Sequence, residues 1–157
     1  MSETQQLRGL LARQLDWEDA HVGYRRAVAD FAAELRGVVP KGFAHSGWQM
    51  VEHIRLAQSD ILDFCVNPDY AARAWPEAYW PASAPRGEAE WDASVQAYQN
   101  DLQALRELAL DESAGLFAAI PWGDGQTRLR ELLLVVDHTA YHVGQIIALR
   151  RTLGCWR

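Results

Sequence analysis

The sequence predicts an all-α fold, with four main helices packed around one core. Three observations carry this. Four long runs repeat their apolar residues at the 3.6-residue period of a helix. No run shows a strand pattern. The one long aperiodic connection, residues 66–87, is too long for a simple antiparallel hairpin and too aromatic for a floppy linker. At 157 residues the chain fits a single domain, residues 1–157, with room for a real core.

Taken in order, residues 3–15 read as a short amphipathic helix carrying Leu7, Leu10, Leu11 and Leu15. Asp16 is the expected N-cap of a helical run over residues 17–36, the first main helix. Its apolar positions are Trp17, Tyr24, Val28, Phe31 and Leu35, with His21 in the same register. Gly37, Pro40, Lys41 and Gly42 end it in a loop. Ser46 then starts the second main helix, and Gln49 three residues on completes a capping box. That helix runs to about Cys65, with Met50, Val51, Ile54, Ala57, Ile61 and Phe64 inward and His53 at the edge of that arc.

From Val66 to Gly87 four prolines forbid a continuous helix. Tyr70, Trp75, Tyr79 and Trp80 give the segment bulk, so it reads as an ordered crossover that lets the flanking helices run parallel. The third main helix spans residues 88–110 through Trp91, Val95, Tyr98, Leu102, Leu105 and Ala109. A shorter stretch around Leu116 to Ile120 leads to Pro121, and Gly123-Asp124-Gly125 makes a tight turn. Thr127 caps the fourth main helix, residues 128–151.

Composition narrows the function. The net charge of -6 and a pI near 5.3 oppose a nucleic-acid surface, which needs a basic stripe. Cys65 and Cys155 are the only cysteines and form no CxxC, so neither a disulfide staple nor a thiolate zinc site is expected. That usage suits a reducing cytoplasm. The opening MSETQQ lacks the basic and apolar regions of a signal peptide, and no segment is expected to cross a bilayer.

The last helix carries the chemistry. It is apolar on most of its circumference, as a buried central helix is. Yet His138 and His142 lie four residues apart and return to one face, shared with Leu134, Gln145 and Leu149. Two imidazoles in an apolar stripe need partners. A divalent cation is one common partner, with His53 from the second main helix as the best third ligand. Three protein ligands leave a coordination position open, which is the catalytic arrangement. An HxxxH pair alone also suits hydrogen-bonded core histidines; what favours ligation is that all three fall on inward faces of a His-poor chain. The motif is not HExxH, because Thr139 stands where the glutamate would be.

The segments WQMVEHIRLAQ and DHTAYHVGQIIALRR together resemble the DinB/YfiT-like superfamily of metal-dependent proteins. The likeness covers nearly the whole chain: helix order, long crossover and histidine positions. It implies a four-helix bundle connected up-down-down-up, with the long crossover between helices 2 and 3. It also implies metal ligation by His53, His138 and His142, with nickel or zinc as the ion. Relatives of that kind include hydrolases and transferases of low-molecular-weight thiols, and many are homodimers.

Gln145 is placed to hydrogen-bond a substrate or a metal-bound water, or equally to stand as a polar residue at the bundle mouth, and Tyr141 to line the pocket; these are the candidate catalytic residues. Glu52 and Asp137 point about 100° away from their histidine neighbours and are expected to bond elsewhere. His21 and His45 read as surface or cap histidines, with an approach to the site as the alternative, and Trp48 and the crossover aromatics as core or pocket wall.

Two functions compete. One is a divalent-metal-dependent enzyme that activates water or a thiol for hydrolysis or S-transfer on a small molecule, with no nucleic-acid or membrane partner. The other is a non-catalytic bundle, stabilised by metal or by a histidine cluster, that serves as a dimer or interaction module. A role on DNA is opposed by the acidic balance.

Overall fold

Helix starts are set where a side chain can take over an orphaned backbone donor. The computed structural model describes residues 2–16, 18–82 and 84–156. It contains α1 (Glu3–Gln14), α2 (Tyr24–Val28), α3 (Gly47–Val66), α4 (Glu88–Leu110) and α5 (Arg128–Thr152), and no strand among the described residues. Ser2 and Ser46 cap α1 and α3 in full capping boxes with Gln5 and Gln49. Thr127 accepts from the Arg130 amide at 3.2 Å and opens α5. α4 starts at Gly87 without a side-chain cap, and Glu88 and Glu90 supply negative charge to its first turn.

The core is one cluster drawn from all the long helices. Leu11, Ile54, Leu105, Leu132, Ile146 and Leu149 are among its buried members. Hydrogen bonds from side chains to neighbouring backbone carbonyls and side chains fix the neighbours. Arg8 of α1 donates to the Ala109 carbonyl of α4 at 3.0 Å, and Gln5 donates to Glu112 just beyond it. Between α3 and α4, Ser94 donates to Glu52 at 2.5 Å and Gln58 donates to the Tyr98 carbonyl at 2.8 Å. Between α3 and α5, Arg128 donates to the Cys65 carbonyl at 3.2 Å, while His53 meets His138 at the other end.

The expected helix over residues 17–36 does not form. Trp17 lies outside the described residues, and Asp16 sits in a turn rather than at an N-cap. Only Tyr24–Val28 is α-helical, followed by one 3-10 turn at Ala33–Leu35. At the C-terminal end of this short helix the reason is a competitor for the carbonyls. The buried Arg150 guanidinium donates to the carbonyls of Ala27 and Ala29, both at 2.8 Å, and of Asp30 at 3.1 Å. Asp30 takes the left-handed region at φ 53, so the chain turns away there. Tyr24, Val28 and Phe31 are nevertheless buried, so the apolar register was informative although the helix was not. Phe31 packs on the first turn of α3, where a Cβ on Gly47 would collide with its ring. The first long helix is therefore α1, which packs against α4.

The crossover holds a 3-10 turn, Glu77–Tyr79, and buries Tyr79. Leu116 and Ile120 are buried in a non-helical stretch, and Ala119 pairs with Thr127 in one antiparallel bridge. By length and composition α5 is long and apolar enough to cross a membrane, contrary to expectation. Its inward face instead packs Leu132, Val135, Val143, Ile146 and Leu149 into the core, beside the buried and bonded Glu131 and Arg150. A buried central helix passes the same length test.

Candidate metal centre

α3 and α5 bring His53, His138 and His142 together. One ring nitrogen from each lies within 4.8 Å of the other two. Four residues separate His138 from His142, so both rings leave the same face of α5, with ring centroids 4.5 Å apart. His53 faces them from α3, its centroid 4.9 Å from His138 and 4.7 Å from His142. His53 and His142 are buried and His138 half-buried.

Each buried ring has one nitrogen fixed from outside the cluster. His53 Nδ1 donates to the Tyr79 carbonyl at 3.1 Å, and His142 Nδ1 donates to Gln145 Oε1 at 2.8 Å. A neutral imidazole has one donor and one acceptor nitrogen, so both Nε2 atoms carry bare lone pairs. His53 Nε2 meets His138 Nε2 at 3.0 Å. Two lone pairs repel at that distance; a proton between them or a cation shared by them makes the approach favourable.

The electrostatics favour neutral rings. Burial lowers the pKa of His53, although the bond to Tyr79 opposes the shift. Burial and then the neighbouring His142 and His53 push His138 down to about 4. Burial, followed by His53, lowers His142, against the bond to Gln145. Neutral imidazole is the form that binds metal.

The walls come from the crossover. The Trp80 indole stacks on His53 at 4.0 Å, interplanar angle 2°, and His45 stacks on its other face at 3.7 Å. Trp80 and His45 are thus tied to the site through ring stacking. In the sequence the crossover aromatics read as core or pocket wall, and the approach of His45 to the site is the alternative to its cap reading. Tyr79 contributes through its backbone carbonyl, which no side-chain pattern reveals. Its phenol pKa is pushed up by burial and then by Asp60, so the hydroxyl stays protonated and donates to Asp60 at 2.7 Å.

The remaining candidates fall as follows. Tyr141 is exposed, its ring centroid 4.9 Å from that of His142. Glu52 turns to α4, where it accepts from Ser94 and pairs with Arg55. Asp137 and His21 are exposed, and His21 bonds the carbonyl of Val22 at 2.9 Å. Trp48 packs in the core, 6.2 Å from Trp91. A cleft of about 390 Å³ runs beside Leu134, one turn before His138, and is lined by Asp60, Phe64, Tyr70, Trp122 and Arg130. A cavity of about 620 Å³ beside Arg26, Arg150 and Trp156 contains none of the three histidines.

Comparison with known proteins places one family on this chain. The model of the DinB superfamily matches residues 16–146, a span that includes all three histidines. No curated protein and no solved structure matches.

Proposed function

The chain belongs to the DinB superfamily, and from that premise we propose that it is a divalent-metal-dependent enzyme acting on a small molecule. His53, His138 and His142 hold the cation, with nickel or zinc as the expected ion. The observation that carries this reading is the convergence of three ring nitrogens within 4.8 Å, two of the rings fixed by outside acceptors. The donor set fits: neutral imidazoles from two rigid helices are what such ions take, at about 2.0–2.1 Å. The helix contacts support the up-down-down-up arrangement, since pairs between α3 and α4 advance together, Glu52 with Ser94 and Gln58 with Tyr98. Pairs between α3 and α5 run in opposite senses, Cys65 with Arg128 and His53 with His138.

When bound, such a cation supplies Lewis acidity, which lowers the pKa of a water or thiol toward neutrality and polarises an electrophile. This chain's residues do the rest. Tyr79 and Gln145 keep the Nδ1 protons of His53 and His142 and so aim both Nε2 atoms inward. Gln145 thereby acts through His142. Tyr141 stands at the exposed side and meets the substrate there. Trp80 covers one face of His53 and excludes water from it. The reaction is hydrolysis or S-transfer from a low-molecular-weight thiol.

Metal analysis of protein purified without chelator, followed by ester, amide and thiol-conjugation assays, tests the proposal. Turnover by loaded protein that disappears in His142→Ala is the expected result. Loaded protein inert with every class would leave the non-catalytic bundle as the better reading.

A further inference from the structure

Asp60 lies seven residues after His53 on α3, two turns along the same face. Three residues of the crossover converge on its carboxylate. Tyr79 donates its hydroxyl to Oδ2 at 2.7 Å, Tyr70 donates at 3.3 Å, and Arg73 forms an ion pair at 3.5 Å. Tyr79 is therefore held at both ends, by its hydroxyl on Asp60 and by its carbonyl on His53 Nδ1.

That carbonyl decides which nitrogen of His53 carries the proton. Without an acceptor beside Nδ1, the proton is free to occupy Nε2, and a protonated Nε2 is a donor with no lone pair for a cation. The residue supplying the acceptor sits in a connection that has, among its described residues, only one 3-10 turn, Glu77–Tyr79. No long helical ladder fixes its place. The Asp60 carboxylate, itself on a rigid helix, anchors the Tyr79 side chain, while the Trp80 stack on His53 and the Gln49 bond to the Pro81 carbonyl hold the residues that follow.

We infer that Asp60 is a positioning residue for the cation site: through Tyr79 it keeps the carbonyl against His53 Nδ1 and leaves Nε2 bare. The purpose rests on the proposed metal site, but the tautomer it sets is measurable without metal. Outer partners that orient a ligating histidine typically contribute about 10- to 100-fold in metal affinity.

The test compares the parent chain with Asp60→Leu, Tyr79→Phe and Tyr70→Phe. Tyr79→Phe keeps the ring and the carbonyl and removes only the hydroxyl, so it carries the test should Asp60→Leu fail to fold. Tyr70→Phe removes an Asp60 bond that does not lead to His53. Nitrogen-15 NMR on chelator-treated protein reads the His53 tautomer, and competition titration with zinc reads affinity. The parent is expected to show His53 protonated on Nδ1. Asp60→Leu and Tyr79→Phe are expected to show a mixture of tautomers and to bind zinc about 10-fold more weakly. Tyr70→Phe should behave as the parent. Parent-like tautomer and affinity in both Asp60→Leu and Tyr79→Phe would overturn the inference, as would equal losses in Tyr70→Phe and Tyr79→Phe. A parent that binds neither zinc nor nickel would remove the metal reading, yet the tautomer comparison would still decide the role of Asp60.

Discussion

The two seams that α3 makes with its neighbours both bury polar side chains, and they resolve them in opposite ways. Against α4, donor meets acceptor: Ser94 donates to Glu52, which Arg55 braces from the same helix, and Gln58 donates to the Tyr98 carbonyl while its own Oε1 has no partner. Against α5, Arg128 donates to the Cys65 carbonyl at one end, but at the other ring nitrogen meets ring nitrogen, 3.0 Å apart between His53 and His138. Buried polar groups that answer one another hold helices in register. A buried acceptor facing a ring whose own tautomer nothing outside fixes is satisfied by a proton on that ring or by a cation shared between the two. The difference separates a structural polar contact from a binding site on one and the same helix.

The contrast breaks most sharply under substitution at the α5 seam. His138→Ala is expected to lower zinc affinity by more than about 100-fold, beyond the range of outer partners. Competition titration measures it. The chelated variant should melt within about 3 °C of the parent, equivalent to about 1 kcal/mol in a chain of this size. Zinc itself, at about 100 times its Kd, should stabilise the parent by about 2.7 kcal/mol. That is about 5–10 °C in a thermal scan, with no shift in His138→Ala.

Glu52→Ala strikes the other seam and should show the reverse. It strands the Arg55 and Ser94 donors, at about 1–3 kcal/mol in denaturant titration. Its zinc affinity should stay within about twofold of the parent, as for independent sites. If Glu52→Ala lost zinc and His138→Ala lost stability, the assignment of the two seams would be wrong.

The smallest effect probes the far end of the α5 seam, where Cys65 is fully buried. Burial pushes its thiol up to about 12, so the thiolate is scarce at pH 8. Native protein should react with a thiol reagent only at Cys155, and denatured protein at both cysteines. Prompt labelling of Cys65 would mean that the seam opens.

The sequence made α3, α4 and α5 legible because their starts are written in local chemistry. Ser46 with Gln49, and Thr127, act through residues three positions away. The three histidines were legible for the same reason: spacing within α5 fixes one pair, and the inward arc of α3 offers the third. Residues 17–36 misled because helical spacing of apolar residues was satisfied by a short helix and a turn. The arginine that ends that helix is more than 120 positions away. Asp60 is silent, and Tyr79 and Trp80 read only as core or pocket wall, for a related reason. Their effect on His53 passes through a backbone carbonyl and a stacked ring brought in by the crossover. Such contacts depend on where an aperiodic segment lands, which no repeat encodes.

X-ray absorption at the metal edge, on protein purified without chelator, tests the centre most directly. One ion per chain with three imidazole nitrogens at about 2.0–2.1 Å is the expected result, falling to two nitrogens in His138→Ala. A scattering shell without imidazole, or one unchanged in that variant, would contradict a cation held between α3 and α5.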